Sequence, residues 1–454
     1  MKRLITATAL TTAVTLAHAT PLYHPPGPNL TYGAVSNGQT IMSDITNPAA
    51  GAAVLKKNGN QYRFGILGSI GAGFEFGKVD DLYDKIDAQS DIFANGAPVD
   101  ENDFTGSINT LVGSVNGVLS DVASPDAYAK VFASAHLPLM PLVVAHQGLG
   151  GSIVFDVNGS IAARLSALST NVIVDAAQLE TDITSGGAGV YTNGDVTIDA
   201  TNFANPVLTI DNDSAVIAKA TTTTEIALGY SRPIMEVGGG TLYSGLRGRY
   251  YNLGMARASI RLGNLIDGAE QALDDAKDED YVTDTGMGLD VGALFISEHF
   301  RLGATLTNIN EPSFEFGDVS NLGDFTDPDI RAALVASNRY TMEKQLQLEG
   351  ALYTASQNWV ISAAMDANAV EDALGDEYQW ATVSAAYATD TWWLPGIRAG
   401  IRKNLAGTKI NYLTGGVTMG PVNLDLAYST EKVTIHGNTV PRGAIVNLGI
   451  EASF

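Results

Sequence analysis

The chain has 454 residues and no cysteine, and its 49 acidic and 26 basic residues give a net charge of −23. The lack of cysteine excludes disulfides, zinc–thiolate sites and thiol nucleophiles, and the negative charge argues against a surface that binds nucleic-acid phosphates. The 48 glycines, 17 tyrosines and 14 phenylalanines suit a chain of many strands, in a barrel or in a large soluble sandwich.

The amino terminus has the three-part order of a secretory signal peptide. Lys2 and Arg3 precede the apolar run LITATALTTAVTLA, and the tripeptide AHA ends at Ala19 as a small-residue cleavage site. The apolar run is too short to cross a bilayer as a helix. We predict a signal peptide at residues 1–19, and its removal leaves 24 basic and 49 acidic residues, a net charge of about −25.

Residues 20–61 have no sustained periodicity. The stretches PLYHPPGPNLTYG and SDITNPAAGAA are rich in Pro, Gly, Asn and Ser, which is typical of an irregular segment or a linker. A long amphipathic strand is predicted next, in YRFGILGSIGAGFEFG, because apolar and other residues alternate there. The many glycines on its second face indicate close approach of another backbone, such as a plug.

The pattern changes again at about residues 79–140. Apolar residues in VDDLYDKIDAQSDIF and in NDFTGSINTLVGSVNGVLSDV recur at spacings of three and four, which predicts two or three amphipathic helices. We therefore expect a mainly helical insertion at 79–140. It can cover an opening, form a loop subdomain or decorate a rim, and the rim is the favoured place.

Alternating segments then follow one another to the carboxyl terminus, among them SIVFDVNGSIAARLSAL, GMGLDVGALFIS, FRLGATLTNI and VNLDLAYST. We count about 14 strands. A strand of about 12 residues covers about 40 Å, and a tilt near 45° projects this to about 28 Å, close to the apolar band of a membrane barrel. Sandwich strands average only about 5–6 residues, although a soluble, secreted β protein remains an alternative.

Lipid offers no partners for unpaired backbone groups, so strands that cross it must close on themselves. The predicted fold is therefore all-β: a closed antiparallel transmembrane β-barrel of about 14 strands over residues 62–454, with a plug at 20–61 and the helical insertion. Five arginines stand opposite apolar positions in their strands, and we expect them to face the lumen: Arg164, Arg247, Arg249, Arg398 and Arg402. The alternative is a solvent-facing side of an ordinary sheet.

The chain ends in GAIVNLGIEASF, an alternating strand closed by Phe454. This ending resembles the assembly signal that the barrel-insertion machinery recognises in bacterial outer-membrane proteins. The resemblance implies an assembly role for Phe454, Ala452 and Ile450 and a place in the outer membrane of a Gram-negative cell envelope. The expected partners are then outer-membrane lipid, lipopolysaccharide and the insertion machinery.

The tripeptide Asn47-Pro48-Ala49 resembles the motif in the hatch of FadL-type channels, although a turn begun by Asn-Pro is its simpler interpretation. The stretches LTYGAVSNGQTIMSDITNPAAGA, FGILGSIGAGFEFG and GLDVGALFISEHFRLGATLTNINEPSFEF resemble the exported, barrel-like TraF-type conjugal transfer proteins. The FadL likeness implies passive uptake of a hydrophobic small molecule through a porin-like barrel, with Asn47, Pro48 and Ala49 holding the plug. The TraF likeness implies an envelope structural or assembly protein that contacts the conjugation apparatus.

Sequence motifs for catalysis are missing. The histidines are scattered without H-E-x-x-H spacing, and neither a G-x-S-x-G elbow nor a Walker loop occurs. We therefore expect no enzyme, no metal and no cofactor, and no direct contact with nucleic acid.

Overall fold

The computed structural model describes residues 25–33, 35, 40–53, 62–264, 280–319, 321–354, 356, 358–388 and 394–453. The predicted signal peptide and Phe454 lie outside the described residues.

Fourteen antiparallel strands form a closed barrel, which confirms the predicted fold and strand number. They are β1 (Tyr62–Phe76), β3 (Ala129–His136), β5 (Gly151–Leu168), β9 (Ala215–Val237), β10 (Gly240–Arg261), β11 (Val282–Ser297), β12 (Phe300–Thr307), β15 (Gln345–Tyr353), β16 (Trp359–Asp366), β19 (Trp380–Tyr387), β20 (Gly396–Asn404), β21 (Asn411–Met419), β22 (Val422–Ser429) and β25 (Gly443–Ser453). The barrel closes where β25 pairs with β1, in a register that sets Arg63 opposite Ser453.

Alternation along each strand divides the wall into two faces. In β22 the exposed side chains are Val422, Leu424, Leu426 and Tyr428, and the buried ones are Asn423, Asp425, Ala427 and Ser429. Strand β16 repeats the pattern over its whole length. An apolar outer face around a polar interior is the arrangement of a barrel that stands in lipid.

The two ends of the barrel differ in their connections. At one end, the turn end, Gly238 and Gly239 join β9 to β10, and Gly420 and Pro421 join β21 to β22. At the opposite end, the loop end, most connections are much longer, above all residues 77–128 and 169–214. Outer-membrane barrels have short periplasmic turns and longer extracellular loops, so the loop end corresponds to the extracellular side of such barrels.

The helical insertion is shorter than expected. Helices α3 (Leu82–Asn95) and α4 (Phe104–Val122) lie within it, but its last part is barrel strand β3, which starts at Ala129. The prediction of a mainly helical segment up to residue 140 was therefore wrong at its carboxyl end. Strand β3 reads AKVFASAH, and its small residues leave only a weak alternation to distinguish it from a helix.

The helices pack on the outer side of the wall near the loop end. One hydrophobic cluster joins Ile108 and Leu119 of α4 to Val216 and Ala218 of β9. Further along β9, Leu228 is 60% exposed. Outward side chains of the same strand are thus covered by helices near the loop end and exposed further along the strand.

The remaining elements are small and belong mostly to loops. They are α1 (Asn29–Tyr32), α2 (Ser43–Thr46), β2 (Ala97–Pro98), β4 (Leu142–His146), α5 (Ala176–Gly186), β6 (Val190–Asn193), β7 (Val196–Asp199), β8 (Val207–Ile210), β13 (Ser313–Glu315), α6 (Pro328–Ala336), β14 (Arg339–Thr341), β17 (Val370–Glu371), β18 (Glu377–Tyr378), β23 (Lys432–Ile435) and β24 (Asn438–Pro441). No described helix is long and apolar enough to span a membrane.

The wall is irregular between β1 and β5. Strands β3 and β4 both run antiparallel to these two neighbours, so together they fill one position in the wall, with residues 137–141 between them. At this level β1 shifts register, and a Cβ atom on Gly68 would lie 2.0 Å from the carbonyl oxygen of Met140. Only glycine permits such close backbone contact.

Candidate functional site

The described part of the amino-terminal segment, residues 25–33, 35 and 40–53, lies inside the barrel and contacts opposite parts of its wall. Thr31 Oγ1 donates to Asp425 of β22 at 2.9 Å, and Thr40 Oγ1 donates to Glu451 of β25 at 2.6 Å. On another side, the Ala52 amide donates to Ser231 Oγ of β9 at 2.9 Å. The segment therefore crosses the lumen and is held by hydrogen bonds at several points around it.

Asn47 is fully buried and links this segment to two more strands. Its Nδ2 donates to Glu349 Oε1 of β15 at 2.8 Å and to the Ala293 carbonyl of β11 at 3.2 Å. Its Oδ1 accepts from the Ala49 amide at 2.9 Å, which closes a tight turn around Pro48. One side chain thus fixes both the turn and its place on the wall.

Two glycines in the wall receive this turn. Gly245 of β10 stands opposite Gly292 of β11. A Cβ atom on Gly245 would lie 2.2 Å from the Pro48 carbonyl oxygen, and one on Gly292 would lie 2.1 Å from Asn47 Oδ1. We call this pair the docking glycines, because any larger residue would push the turn away from the wall.

The predicted lumen arginines lie inside the barrel, and four of the five pair with carboxylates. Arg247 Nε donates to Asp290 Oδ2 at 2.8 Å, and Arg247 Nη1 reaches the Ile45 carbonyl at 2.7 Å. Arg249 shares Asp290, at 2.7 Å, and also pairs with Glu225 at 3.5 Å. The positive charges of Arg247 and Arg249 are therefore neutralised by carboxylates of the barrel strands.

Arg398 and Arg164 are compensated in the same way. Arg398 Nε donates to Asp425 Oδ1 at 2.7 Å, and Arg164 Nε lies 3.0 Å from Asp376 Oδ1. These acidic partners were not among the residues predicted from the sequence. Asp425, like Asp290, stands at an inward position in its strand, so the alternation that identified the arginines could have identified it too.

Arg402 differs from the other four. Only 5% of it is exposed, its Nε has no hydrogen-bonding partner, and no ion pair joins it to any carboxylate in the described part of the chain. Its guanidinium lies over the Trp380 ring, 3.7 Å from the ring centroid. The nearby Asp366 already accepts from Gln347 Nε2 and from the Trp380 amide, at 3.1 and 2.8 Å.

Arg402 lines a cavity of about 200 Å³ near the loop end. Pro26, Gly33 and Ile45 of the amino-terminal segment form part of its lining, and aromatic and thioether side chains form its walls. These residues are Tyr251, Tyr340, Met342, Met365, Tyr378 and Trp380. The cavity therefore combines apolar surface with one buried cation that has no ion-pair partner among the described residues.

Two exposed carboxylates, Glu343 and Glu371, stand in loops at the mouth of this cavity. Partial burial raises the pKa of Glu371, and although Lys219 opposes the shift, the charges of Asp372, Glu343 and Glu377 add to it. The mouth is thus acidic while the interior carries a cation.

The predicted assembly residues lie on the closing strand. Ile450 and Ala452 are half-buried on the outward side of β25, and Phe454 is outside the described residues. Inward residues of β25 hold the amino-terminal segment and the seam: Asn447 Nδ2 donates to the Pro25 carbonyl at 2.9 Å, and Glu451 pairs with Arg63 at 3.0 Å. Among the residues that the structure covers, no group of His, Asp and Glu side chains could hold a metal ion.

A family profile described as "F plasmid transfer operon, TraF, protein" matches residues 44–366, which include Asn47, the docking glycines and the cavity residues Arg249, Tyr251 and Tyr340. The chain belongs to this family. The TraF resemblance predicted from sequence is thereby confirmed. A comparison with curated protein sequences gives no significant match.

Several solved barrels are similar to this member of the TraF family. A deltaS2S3 mutant of the monoaromatic hydrocarbon channel TodX aligns over 96% of this chain and 99% of its own, with 11% identity and a TM-score of 0.40. A FadL homologue from Pseudomonas aeruginosa aligns over 97% and 100%, with 11% identity and a TM-score of 0.36. Outer membrane phospholipase A from Escherichia coli aligns over 72% and 78%, with 11% identity and a TM-score of 0.25.

Proposed function

We propose that this protein is a plugged outer-membrane channel that admits a small, largely apolar molecule without energy input. The observation that supports this proposal most directly is the cavity near the loop end, which has aromatic walls and is lined in part by the amino-terminal segment. A ligand that enters from the loop side meets this cavity first and the segment next. In this proposal, residues 20–61 act as the plug and Asn47, Pro48 and Ala49 hold it on the docking glycines.

The irregular wall between β1 and β5 supports the proposal, because it offers a lateral route for an apolar molecule. Ordinary strand pairing stops where residues 137–141 connect β3 to β4, and Leu139 there is 54% exposed. A molecule that leaves through the wall passes into lipid and need not displace the whole plug.

The docking glycines allow a direct test of the plug. Gly245→Ala should displace the turn at Pro48 and make vesicles that contain the purified barrel leak a small sugar several-fold faster in a swelling assay. Gly248→Ala is the matched control in the same strand, because a Cβ atom there meets nothing within 4 Å. Equal leak from both variants, each with the mobility of a folded barrel on gels, would contradict the plug.

Channel activity needs its own measurement. Cells that express the protein should take up the apolar dye N-phenyl-1-naphthylamine faster than a deletion strain, and the protein should fractionate with the outer membrane. Unchanged dye entry in both strains would count against a channel for apolar molecules.

The family match favours a second candidate, an envelope structural or assembly protein associated with conjugation. Its negative charge requires that it act through a protein partner and not through DNA. Lost plasmid transfer with normal dye uptake in the deletion strain would support this candidate, and the reverse result would support the channel.

A further inference from the structure

Among the buried arginines in the described part of the chain, Arg257, Arg301 and Arg402 form no ion pair, and of these only Arg402 lines the cavity. Arg164, Arg247, Arg249 and Arg398 are paired with carboxylates, whereas Arg402 is almost fully buried and stacks on Trp380. A buried charge without a partner is strongly unfavourable in general. Because Arg402 lines the cavity, an anionic group of a ligand is the partner that the site lacks.

The cavity as a whole does not favour a simple anion. Its lining includes three carboxylates, Asp366, Glu343 and Glu371, against two arginines, and Arg249 is already neutralised by Asp290 and Glu225. The two glutamates are exposed at the mouth, where they repel anions and attract cations. A simple cation, in turn, would meet the guanidinium of Arg402 inside, which the nearby Asp366 stabilises electrostatically but does not contact in an ion pair.

We propose that the cavity binds a small apolar zwitterion, whose anionic group pairs with Arg402 while its cationic group faces Glu343 and Glu371 and its apolar part contacts the aromatic walls. This inference rests on the proposed function and names its ligand class. A zwitterion satisfies the inner cation and the outer carboxylates at once and adds no net charge. Ligand recognition of this kind is electrostatic at both ends and apolar in the middle.

The size of the cavity limits the ligand further. Its volume of about 200 Å³ is below the roughly 300–1,000 Å³ that hold drug-sized molecules. A molecule with one aromatic ring or one branched aliphatic group fits that limit, whereas a long acyl chain exceeds it. The Arg402 guanidinium lies over the Trp380 ring, and a guanidinium can bind a carboxylate through two parallel hydrogen bonds.

The test uses four probes that share one phenyl group. Phenylalanine carries both charges, 3-phenylpropionate only the anionic one, 2-phenylethylamine only the cationic one, and ethylbenzene neither. Titration calorimetry of the full-length protein in a non-ionic detergent should show phenylalanine binding at least tenfold tighter than each of the other three. Equal or tighter binding of 3-phenylpropionate, or no binding of phenylalanine, would overturn the inference.

Variants of Arg402 and Glu371 test which residue binds the anionic group of the ligand and which binds the cationic group. Arg402→Gln should weaken phenylalanine binding by roughly 10- to 100-fold, the range of a lost hydrogen bond to a charged group, and Arg402→Lys should restore part of it. Glu371→Gln should reduce the preference for phenylalanine over 3-phenylpropionate. The inference fails if both variants keep folded-barrel mobility on gels, Arg402→Gln binds phenylalanine as tightly as the unchanged protein, and Glu371→Gln keeps the same preference for phenylalanine over 3-phenylpropionate.

Arg301 provides the matched control. It is also buried, also lies over an aromatic ring, that of Tyr353, and its Nε also lacks a partner, but it does not line the cavity. Arg301→Gln should leave phenylalanine affinity unchanged, and a loss equal to that of Arg402→Gln would overturn the assignment.

The outcome is separable from that of the proposed function. Tight phenylalanine binding without dye uptake supports the zwitterion site and rejects the channel for apolar molecules. Dye uptake with no preference for phenylalanine rejects the site and leaves the channel.

Discussion

Some buried carboxylates in this barrel each pair with two basic side chains. Asp290 alone contacts Arg247 and Arg249, and it also accepts the Asn308 amide at 2.9 Å. Removal of one partner from a buried pair costs about 3–5 kcal/mol, because the remaining charge stays buried. The sequence alternation placed these arginines inside the barrel and could have placed Asp290 there too, but it could not show the contact of Arg247 with Ile45, which lies far away in the sequence.

Asp290→Asn should therefore lower the free energy of unfolding by about 3–5 kcal/mol, because two guanidinium groups lose one carboxylate. Urea unfolding in detergent, followed by intrinsic fluorescence, measures the change. Glu298→Gln, at an exposed turn, is the control and should change stability by less than about 0.5 kcal/mol. Equal midpoints for the two variants would contradict the shared-pair account.

Whole elements were predictable where an exposed, apolar outer face alternates with a buried inner face. Strand β22 reads VNLDLAYS and shows the expected alternation at every position. The prediction failed for β3, where small residues weaken the signal, and no sequence pattern indicates that α4 covers Val216 and Ala218 of β9. Such cover depends on tertiary packing between segments that are far apart, which a local periodicity does not encode.

Loop elements at the loop end are joined by a carboxylate that responds to pH. Asp213, just before β9, is desolvated, but it accepts the Thr326 and Asp327 amides and the Thr326 hydroxyl and pairs with Arg261 at 3.2 Å. Burial alone would raise the pKa of Asp213, whereas these hydrogen bonds and the arginine outweigh it, so the pKa lies below its ordinary value. The stabilising contribution is therefore present above the ordinary carboxyl pKa of about 3.9 and is lost as pH falls towards the lower, folded value.

Hydrogen exchange at the Thr326 and Asp327 amides should reveal this link. Protection, corrected for the intrinsic pH dependence of exchange, should be high at neutral pH and fall below about pH 4. Asp213→Asn should show the low protection already at neutral pH. Protection that is the same for both proteins at neutral pH would show that Asp213 does not hold these loops.

On the scale of the whole molecule, charge is concentrated at the loop end. Residues 77–128 contain ten acidic and two basic residues, and residues 169–214 contain seven acidic and no basic ones, so these two connections carry −8 and −7 of the total of −23. The wall and the interior are close to balanced by comparison. Strong net charge keeps exposed loops soluble and apart from one another.

Closure of all 14 strands predicts a compact form that resists detergent. Unboiled protein should migrate differently from boiled protein on a detergent gel. A single mobility at all temperatures would contradict the barrel in detergent.

The assembly role of Phe454 has a separate test. Phe454→Ser should reduce the amount of the protein in the outer membrane, while refolded protein keeps the gel shift. Normal outer-membrane levels of the variant would contradict the assembly role of Phe454.

The seam between β1 and β25 has a consequence for the order of folding. Almost the whole described chain separates Arg63 from Ser453, so this pairing has the largest loop-closure entropy in the sheet. Contacts between such distant segments form slowly, and until they form, the growing sheet has two edges that lipid cannot satisfy. The same seam has the register shifts near Gly65 and Leu67, so the pairing that we expect to form last is also irregular. Until it forms, the unpaired edges of β1 and β25 need to be covered by an assembly factor.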